Sequence, residues 1–386
     1  MKIKEVSAKA ILDSRKEKTI LISIKTNVGD FSASSPSGKS TGKFEAKPYK
    51  KSLEEDVEKI KEFSEYFLDE NLERFDDLKR VEDIVDGHVG ANTLFALESA
   101  ILKAIAKEQK IEIWELVQKS SNTGKHFPRL VGNCIGGGLH SHGKRKPDFQ
   151  EFLLIPEGSV KEQWEKNKKI KRDAEFSLKK EDENFKGDKN DEDAWETSLN
   201  EKQVFDILQE SETDMGTDVA SSTFYSRKKY HYANPLLTRT REEQIDYLSN
   251  LIKNFNLFYI EDPFEQEDFE SFAKLLKKFP NSLIVGDDLT TTNYKRLEKA
   301  IKMKSINAII IKPNQIGFLT EVKSVCELAK KNNIKLVFSH RSGETEESIL
   351  ADLAFGFGAD FFKCGITGKE REVKIKRLME IEKSIK

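Results

Sequence analysis

Beyond residue 205 the sequence falls into a rhythm that few folds accommodate. Short apolar runs, "ETDMGTDVA", "LFYIEDPF", "SLIVGDDL", "AIIIKPNQIG", "KLVFSHRSG" and "DFFKCGITG", read as strands. Stretches such as "REEQIDYLSNLIKNF" and "LTEVKSVCELAKKN", with apolar residues at helical spacing, stand between them. A strand that feeds a helix returns to a parallel neighbour through a right-handed crossover. Repetition of that unit favours a closed (β/α)8-type barrel over an open sheet. In such a barrel the chemistry gathers where strands end and loops begin.

The first part of the chain obeys a different rule. "TILISIKTNVGDFSASS" alternates apolar and polar residues around a Val-Gly-Asp turn, which predicts a strand pair. From residue 52, "SLEEDVEKIKEFSEYF" opens on a serine N-cap and an acidic first turn. "ANTLFALESAILKAIAKEQK" then repeats Leu and Ile at helical spacing. Strands in a block followed by helices in a block indicate an α+β N-terminal domain, placed at 1–125, ahead of a barrel domain at 126–386. Residues 156–200 are densely charged and poor in apolar side chains. They predict one helix followed by an exposed, mobile loop.

Charge and composition exclude several classes. Charged residues make up 34% of the chain, but the formal net charge is −2, so there is no bulk positive field for nucleic acid. No apolar run is long enough to span a bilayer. "MKIKEVSAKAILDSRKEK" carries charges where a secretory signal needs an apolar stretch. Cys134, Cys326 and Cys364 have no metal-type spacing. The expectation is a soluble, cytoplasmic protein with reduced thiols and no nucleic-acid or membrane partner. "SSPSGKSTG" ends like a phosphate-binding P-loop, yet Ala33 stands where that motif needs glycine, and no strand-loop-helix unit surrounds it.

Each strand beyond residue 205 closes on a functional group. Asp218, Glu261 and Asp287 end the first three, Lys312 the fourth, His340-Arg341-Ser342 the fifth and Lys363 the sixth. Three carboxylates converging on one mouth repel one another unless a cation lies between them. An all-oxygen site of that kind suits Mg2+. A lysine near a metal and a second cation has its pKa lowered and can act as a base. A base of that kind working with Mg2+ is a general pattern for making carbanions next to a carboxylate.

The motifs "ILDSR", "PSGKSTGKFEA", "GAN", "QEF", "TDVASSTFY", "IEDPF", "GDDLTTTN", "IKPNQIGFLTE" and "SHRSGETEES" make this chain resemble the enolase family from residue 5 to near its C-terminus. The resemblance implies an N-terminal domain covering a barrel that dehydrates 2-phosphoglycerate to phosphoenolpyruvate with two Mg2+ ions. Carried over by motif, Asp218, Glu261 and Asp287 hold the first Mg2+. Lys312 removes the C2 proton, and Lys363 helps neutralise the substrate carboxylate. Arg341 and Ser342 grip the phosphate, His340 lies near the leaving hydroxyl, and Gln150 and Glu151 stand beside the substrate. The serine-rich loop becomes a mobile lid whose second serine, Ser40, binds the second Mg2+ once substrate arrives. Lys39 occupies a place where the family has a small residue. A homodimer or higher homo-oligomer is also implied.

Two segments depart from the family pattern. The family loop Gly-Asp-Glu-Gly-Gly supplies the glutamate that expels the C3 hydroxyl, and the nearest stretch here is "GDKNDEDAW", with Lys189 at the glutamate position. Either Lys189 stabilises a departing hydroxide, or Glu192 takes the place after a loop rearrangement, or the segment does not align. Loss of the acid would favour a paralogue acting on another phosphorylated or carboxylic acid, or a non-catalytic binding protein. "NCIGGGLHSH" offers two histidines; distance from the glycine pair favours His140 and distance from "QEF" favours His142. Of the two, His140 is preferred.

Overall fold

Alternation builds the first element. In β1 (Ile3–Leu12) and β2 (Lys18–Thr26) apolar side chains share a face, and Ile20, Ile22 and Ile24 are fully buried. With β3 (Gly29–Ser34) they form an antiparallel sheet in the order β1-β2-β3. The helices that follow are α1 (Leu53–Phe63), α2 (Leu78–Val85), α3 (Ala91–Gln109) and α4 (Ile113–Ser121). Ser52 caps α1 by accepting the Glu55 N–H at 3.1 Å, and Glu54, Glu55 and Asp56 fill its first turn, where the helix dipole favours acids. Helix α3 packs on β2 and β3 and reaches the barrel loop at 313–315, so it is buried on nearly every side. The computed structural model describes residues 1–39, 42–68, 70–121 and 123–385.

The second part begins with β4 (Arg129–Gly136), β5 (Glu151–Ile155), α5 (Val160–Glu181), β6 (Trp195–Glu196), α6 (Glu201–Leu208) and β7 (Asp214–Asp218). Three short strands follow, β8 (Tyr225–Ser226), β9 (Lys229–Ala233) and β10 (Leu236–Arg239). Helices and strands then alternate as α7 (Arg241–Phe255), β11 (Tyr259–Glu261), α8 (Phe269–Lys278), β12 (Leu283–Gly286), α9 (Tyr294–Met303) and β13 (Ala308–Ile311). The chain finishes with α10 (Leu319–Lys331), β14 (Lys335–Ser339), α11 (Ile349–Gly356), β15 (Phe361–Lys363) and α12 (Lys369–Ile385). A barrel closes in the order β4-β5-β7-β11-β12-β13-β14-β15, with β15 pairing back onto β4. Its interior below the mouth is filled by side chains such as Val131, Leu153, Tyr259, Val285, Ile310 and Val337.

One stave breaks the uniform rhythm. β5 runs antiparallel to both β4 and β7, while the other neighbouring pairs are parallel. No α-helix separates β4 from β5, so the chain turns straight back on itself, which only an antiparallel pair allows. Reversal has a consequence for chemistry: the first residue of β5, Glu151, lies beside Asp218, the last residue of β7. Both therefore stand at the same end of the barrel.

The charged segment 156–200 corrects the expectation of an exposed loop. Ser159 and Glu162 form a capping box that starts α5, and Val160, Trp164, Ile170, Ala174 and Leu178 give it a buried face. After the helix, Asp182, Asn190, Glu192, Ala194, Thr197 and Leu199 are buried. Asp182 accepts from the Thr197 and Ser198 hydroxyls at 2.6 Å each and from the Ser198 N–H at 2.7 Å. Polar groups matched to one another in this way replace water. Low apolar content here marks a hydrogen-bonded segment packed against the barrel.

Candidate active site

The strand ends meet in one cavity lined by Glu151, Glu192, Asp218, Asp287, Lys312 and Lys363, together with Gly38, His340, Arg341 and Ser342. Lys363 ends β15, and its ammonium lies 3.1 Å from Glu151, 3.2 Å from Asp218 and 2.9 Å from Glu261. Burial works against that charge, but Glu151, Glu261 and Asp218 outweigh it and hold Lys363 well above the ordinary lysine value. Lys312, the residue after β13, is paired with Asp287. Burial and the cations Arg341 and Lys363 lower its affinity for a proton, and Asp287 raises it more, so Lys312 is held cationic.

The three acids expected to hold a metal lie at the ends of the adjacent staves β7, β11 and β12. Burial and the neighbouring Asp218 push Glu261 up to about 8. Gln150 donates to Asp218 at 3.2 Å, and Gln315 donates to Asp287 at 3.1 Å. The tightest carboxylate grouping among the described residues is a different one, Asp262 with Asp287 and Asp288. Both Asp262 oxygens already accept backbone N–H groups, from Asp287 at 3.0 Å and Asp288 at 2.7 Å, so Asp262 braces the turn that presents Asp287. Crowded carboxylate oxygens, with Glu261 held above the usual range by burial and its neighbours, fit a hard divalent cation such as Mg2+. Ser40, expected at a second ion, lies outside the described residues.

Arg341 reaches Glu45 of the N-terminal domain at 2.9 Å and Asn314 at 3.2 Å. Ser342 accepts the Lys39 backbone N–H at 2.9 Å, which ties the 35–39 segment to the barrel rim. On the far side of the cavity Glu192 stands 3.5 Å from His140 and 3.7 Å from His340, and accepts from Asn133 at 3.0 Å. Burial holds both imidazoles below the ordinary histidine value, His340 furthest, so we take them as neutral near pH 7. Burial also resists ionisation of Glu192, but with His340, His140, Lys363 and Arg371 around it the carboxyl stays low. With neutral rings, the pull that remains comes from Lys363 and Arg371. Glu151 goes the other way: burial, then the Glu192 charge, raise it well above the carboxylate range. Ligand atoms of His140, Glu151 and Glu192 all lie within 4.8 Å of one another. Two buried carboxyls this close share one proton.

Two alternatives left by the sequence are separated here. His140 is buried at the cavity wall, whereas His142 is exposed and bonded to Glu196 at 2.9 Å. Lys189 does not face the cavity; its ammonium lies at the surface, 3.0 Å from Asp193. Glu192, three residues on, is buried and lines the cavity. Gly187 and Asp188 resemble the family motif but do not line the cavity; Gly187 has φ +80° and open space around it. Sequence reasoning also assigned no part to Glu45, Asn133, Asn314 or Gln315. Three of them lie within motifs quoted above, "PSGKSTGKFEA" and "IKPNQIGFLTE", where a finer reading of each position would have found them.

Neither ring nitrogen of His340, nor Gln150 Oε1, nor Glu151 Oε2 has a hydrogen-bond partner among the described residues. Buried polar atoms without partners, all on one cavity, are what a polar ligand would satisfy. The chain matches two family models: "Enolase, N-terminal domain" over residues 3–117 and "Enolase, C-terminal TIM barrel domain" over residues 125–386. It is similar to the enolase of Methanosphaera stadtmanae, at 36% identity covering 99% of this chain and 97% of that protein. The enolases of Natronomonas pharaonis and Methanocorpusculum labreanum are 34% and 36% identical, each over 98% of both chains. Two domains, the barrel mouth and its residues thus converge on one answer: this chain belongs to the enolase family.

Proposed function

We propose that this chain catalyses the Mg2+-dependent dehydration of 2-phospho-D-glycerate to phosphoenolpyruvate, the enolase step of glycolysis and gluconeogenesis. One separation carries the reading. Lys312 follows β13 and Glu151 begins β5, four staves apart whichever way the barrel is counted, and both line the same cavity. Taking a proton from C2 and a hydroxyl from C3 requires a base and an acid on opposite sides of a held substrate.

Arg341, with Ser342 beside it, would take the phosphate through a planar pair of N–H groups. Lys312 Nζ would accept the C2 proton. Negative charge then grows on the substrate carboxylate, and the Lys363 ammonium would offset it inside a water-poor site. Glu192 would protonate the C3 hydroxyl, which leaves as water while the C2 electron pair forms the double bond. Glu151, which keeps its proton, would supply it to Glu192 across their short separation. Return of the Lys312 proton to solvent and uptake of one by the carboxyl pair would reset the site. Mg2+, held by Asp218, Glu261 and Asp287, would neutralise the substrate carboxylate and draw on the Asp287 charge that keeps Lys312 protonated. A second ion at Ser40, a homodimer and a cytoplasmic setting complete the proposal; family membership supports them.

Purified protein given 2-phosphoglycerate and Mg2+ should form phosphoenolpyruvate, followed by its ultraviolet absorbance, and chelation should stop it. Absence of product with saturating Mg2+ would refute the assignment.

A further inference from the structure

A buried cation outside the reaction just described sits behind the acid. Lys171, on the inner face of α5, is 4% exposed. Its ammonium donates to the Asp193 carbonyl, to the Asp193 carboxylate at 3.0 Å and to the Thr367 hydroxyl. Thr367 in turn donates to the same carboxylate, and Lys189 reaches its other oxygen at 3.0 Å. Asp193 is the residue directly after Glu192. It has φ +63°, the left-handed region in which an L side chain is disfavoured and glycine is the usual choice.

A residue held in that conformation needs surroundings that over-determine it. Here they are the three donors on the Asp193 side chain and a backbone clasp on the other flank. Asn190 Oδ1 accepts the Glu192 and Ala194 N–H groups at 2.9 and 3.0 Å, and the Asn190 N–H donates to the Ala194 carbonyl at 2.9 Å. Trp195 Nε1 donates to the Lys171 carbonyl at 2.8 Å, which returns the loop to α5. The turn so fixed points the Glu192 carboxyl at His140 and His340.

We propose that the Lys171–Asp193 ion pair is the positioning device of Glu192: it locks the left-handed turn at Asp193 and thereby sets where the acid meets the leaving hydroxyl. The inference rests on the reading of Glu192 as that acid. It explains why a lysine stands at 189 without facing the cavity, since Lys189 is the outer clamp on the same carboxylate. Displacement of a reacting group by about 1 Å costs on the order of 100-fold in rate. Loss of the pair should therefore slow dehydration and leave the earlier proton removal at Lys312 untouched.

The test follows two rates in D2O with 2-phosphoglycerate and Mg2+: exchange of the C2 hydrogen and formation of phosphoenolpyruvate. Lys171→Met should keep exchange within about 3-fold of the parent while product formation falls about 10–100-fold. Because a lone buried charge can unfold the protein, the double variant Lys171→Met/Asp193→Ala is measured beside it. That variant leaves neither partner unpaired and keeps a Cβ in the left-handed turn with no ion pair to hold it, so it should still fold and show the same split. Exchange and dehydration falling together, or neither falling, in the folded double variant would overturn the positioning role. Glu192→Gln separates the two layers of the argument. If it dehydrates at the parental rate, the acid assignment beneath is wrong. If it loses dehydration while the double variant keeps it, only the pin is wrong.

Discussion

Replacing Lys363 by methionine takes away the ammonium that touches Glu151, Asp218 and Glu261 at 3.1, 3.2 and 2.9 Å. The lysine side chain is 3% exposed and that of Glu261 0%, so water cannot take its place. Removing one partner of a buried ion pair costs about 3–5 kcal/mol. Glu261, already pushed up to about 8, escapes part of that by taking a proton, so about 3 kcal/mol is expected near pH 7. A carboxyl whose folded pKa is raised loses stability as pH climbs from its unfolded value through the folded one. The deficit should therefore be smallest at pH 5 and largest at pH 9. With a melting entropy of about 0.8 kcal/mol per kelvin for 386 residues, the pH 7 loss corresponds to a midpoint lowered by about 4 °C. Thermal unfolding followed by circular dichroism at the three pH values measures it. Added Mg2+ should raise the variant's midpoint more than the parent's, because a cation then returns to the same carboxylates. A variant within 1 °C of the parent throughout (about the scatter of such a measurement), or a deficit that shrinks as pH rises, would refute the electrostatic argument.

Two other consequences are specific. Gly38 faces Arg341 so closely that a Cβ would sit 2.0 Å from Nη2 and 2.8 Å from Cζ. Gly38→Ala should displace the guanidinium and raise KM for the phosphorylated substrate roughly 10–100-fold, the cost of a charge-assisted hydrogen bond, with little change in melting; an unchanged KM would contradict this. At the contact between the two domains, Glu98 accepts the Leu319 N–H at 2.8 Å, while burial and the adjacent Glu82 raise its carboxyl well above the ordinary value. That raised pKa gives stability present below about pH 4.5 and lost as pH rises, at up to about 1.4 kcal/mol per pH unit. Glu98→Gln mimics the protonated form, so its stability relative to the parent should improve from pH 5 to pH 8; a pH-independent difference would contradict the buried carboxyl pair.

Much of the site was legible because barrel strands carry their chemistry at one end. Asp218, Glu261, Lys312 and Lys363 stand at strand ends that the apolar runs already marked. What the runs do not encode is strand direction, and only the reversal of β5 explains how Glu151, at the start of its strand, reaches the same mouth. The segment carrying Glu192 was opaque for a different reason. Its stability comes from paired polar groups around Asp182, Asn190 and Asp193, which hydropathy scores as solvent-loving. Asp193 also occupies a left-handed position, which a glycine would have marked in the sequence and an aspartate does not, so this turn left no signal and Gly187 drew the alignment away. Contacts between the domains, such as Arg341 with Glu45, join residues almost three hundred positions apart and leave no local pattern.

The most direct test compares Lys312→Ala with Glu192→Gln in D2O, each supplied with 2-phosphoglycerate and Mg2+. If Lys312 at the end of β13 and Glu192 in the loop between α5 and β6 divide the reaction, Lys312→Ala should lose both C2 hydrogen exchange and phosphoenolpyruvate, whereas Glu192→Gln should keep exchange and lose product. Exchange that survives in Lys312→Ala, or product that survives in Glu192→Gln, would contradict that division of labour.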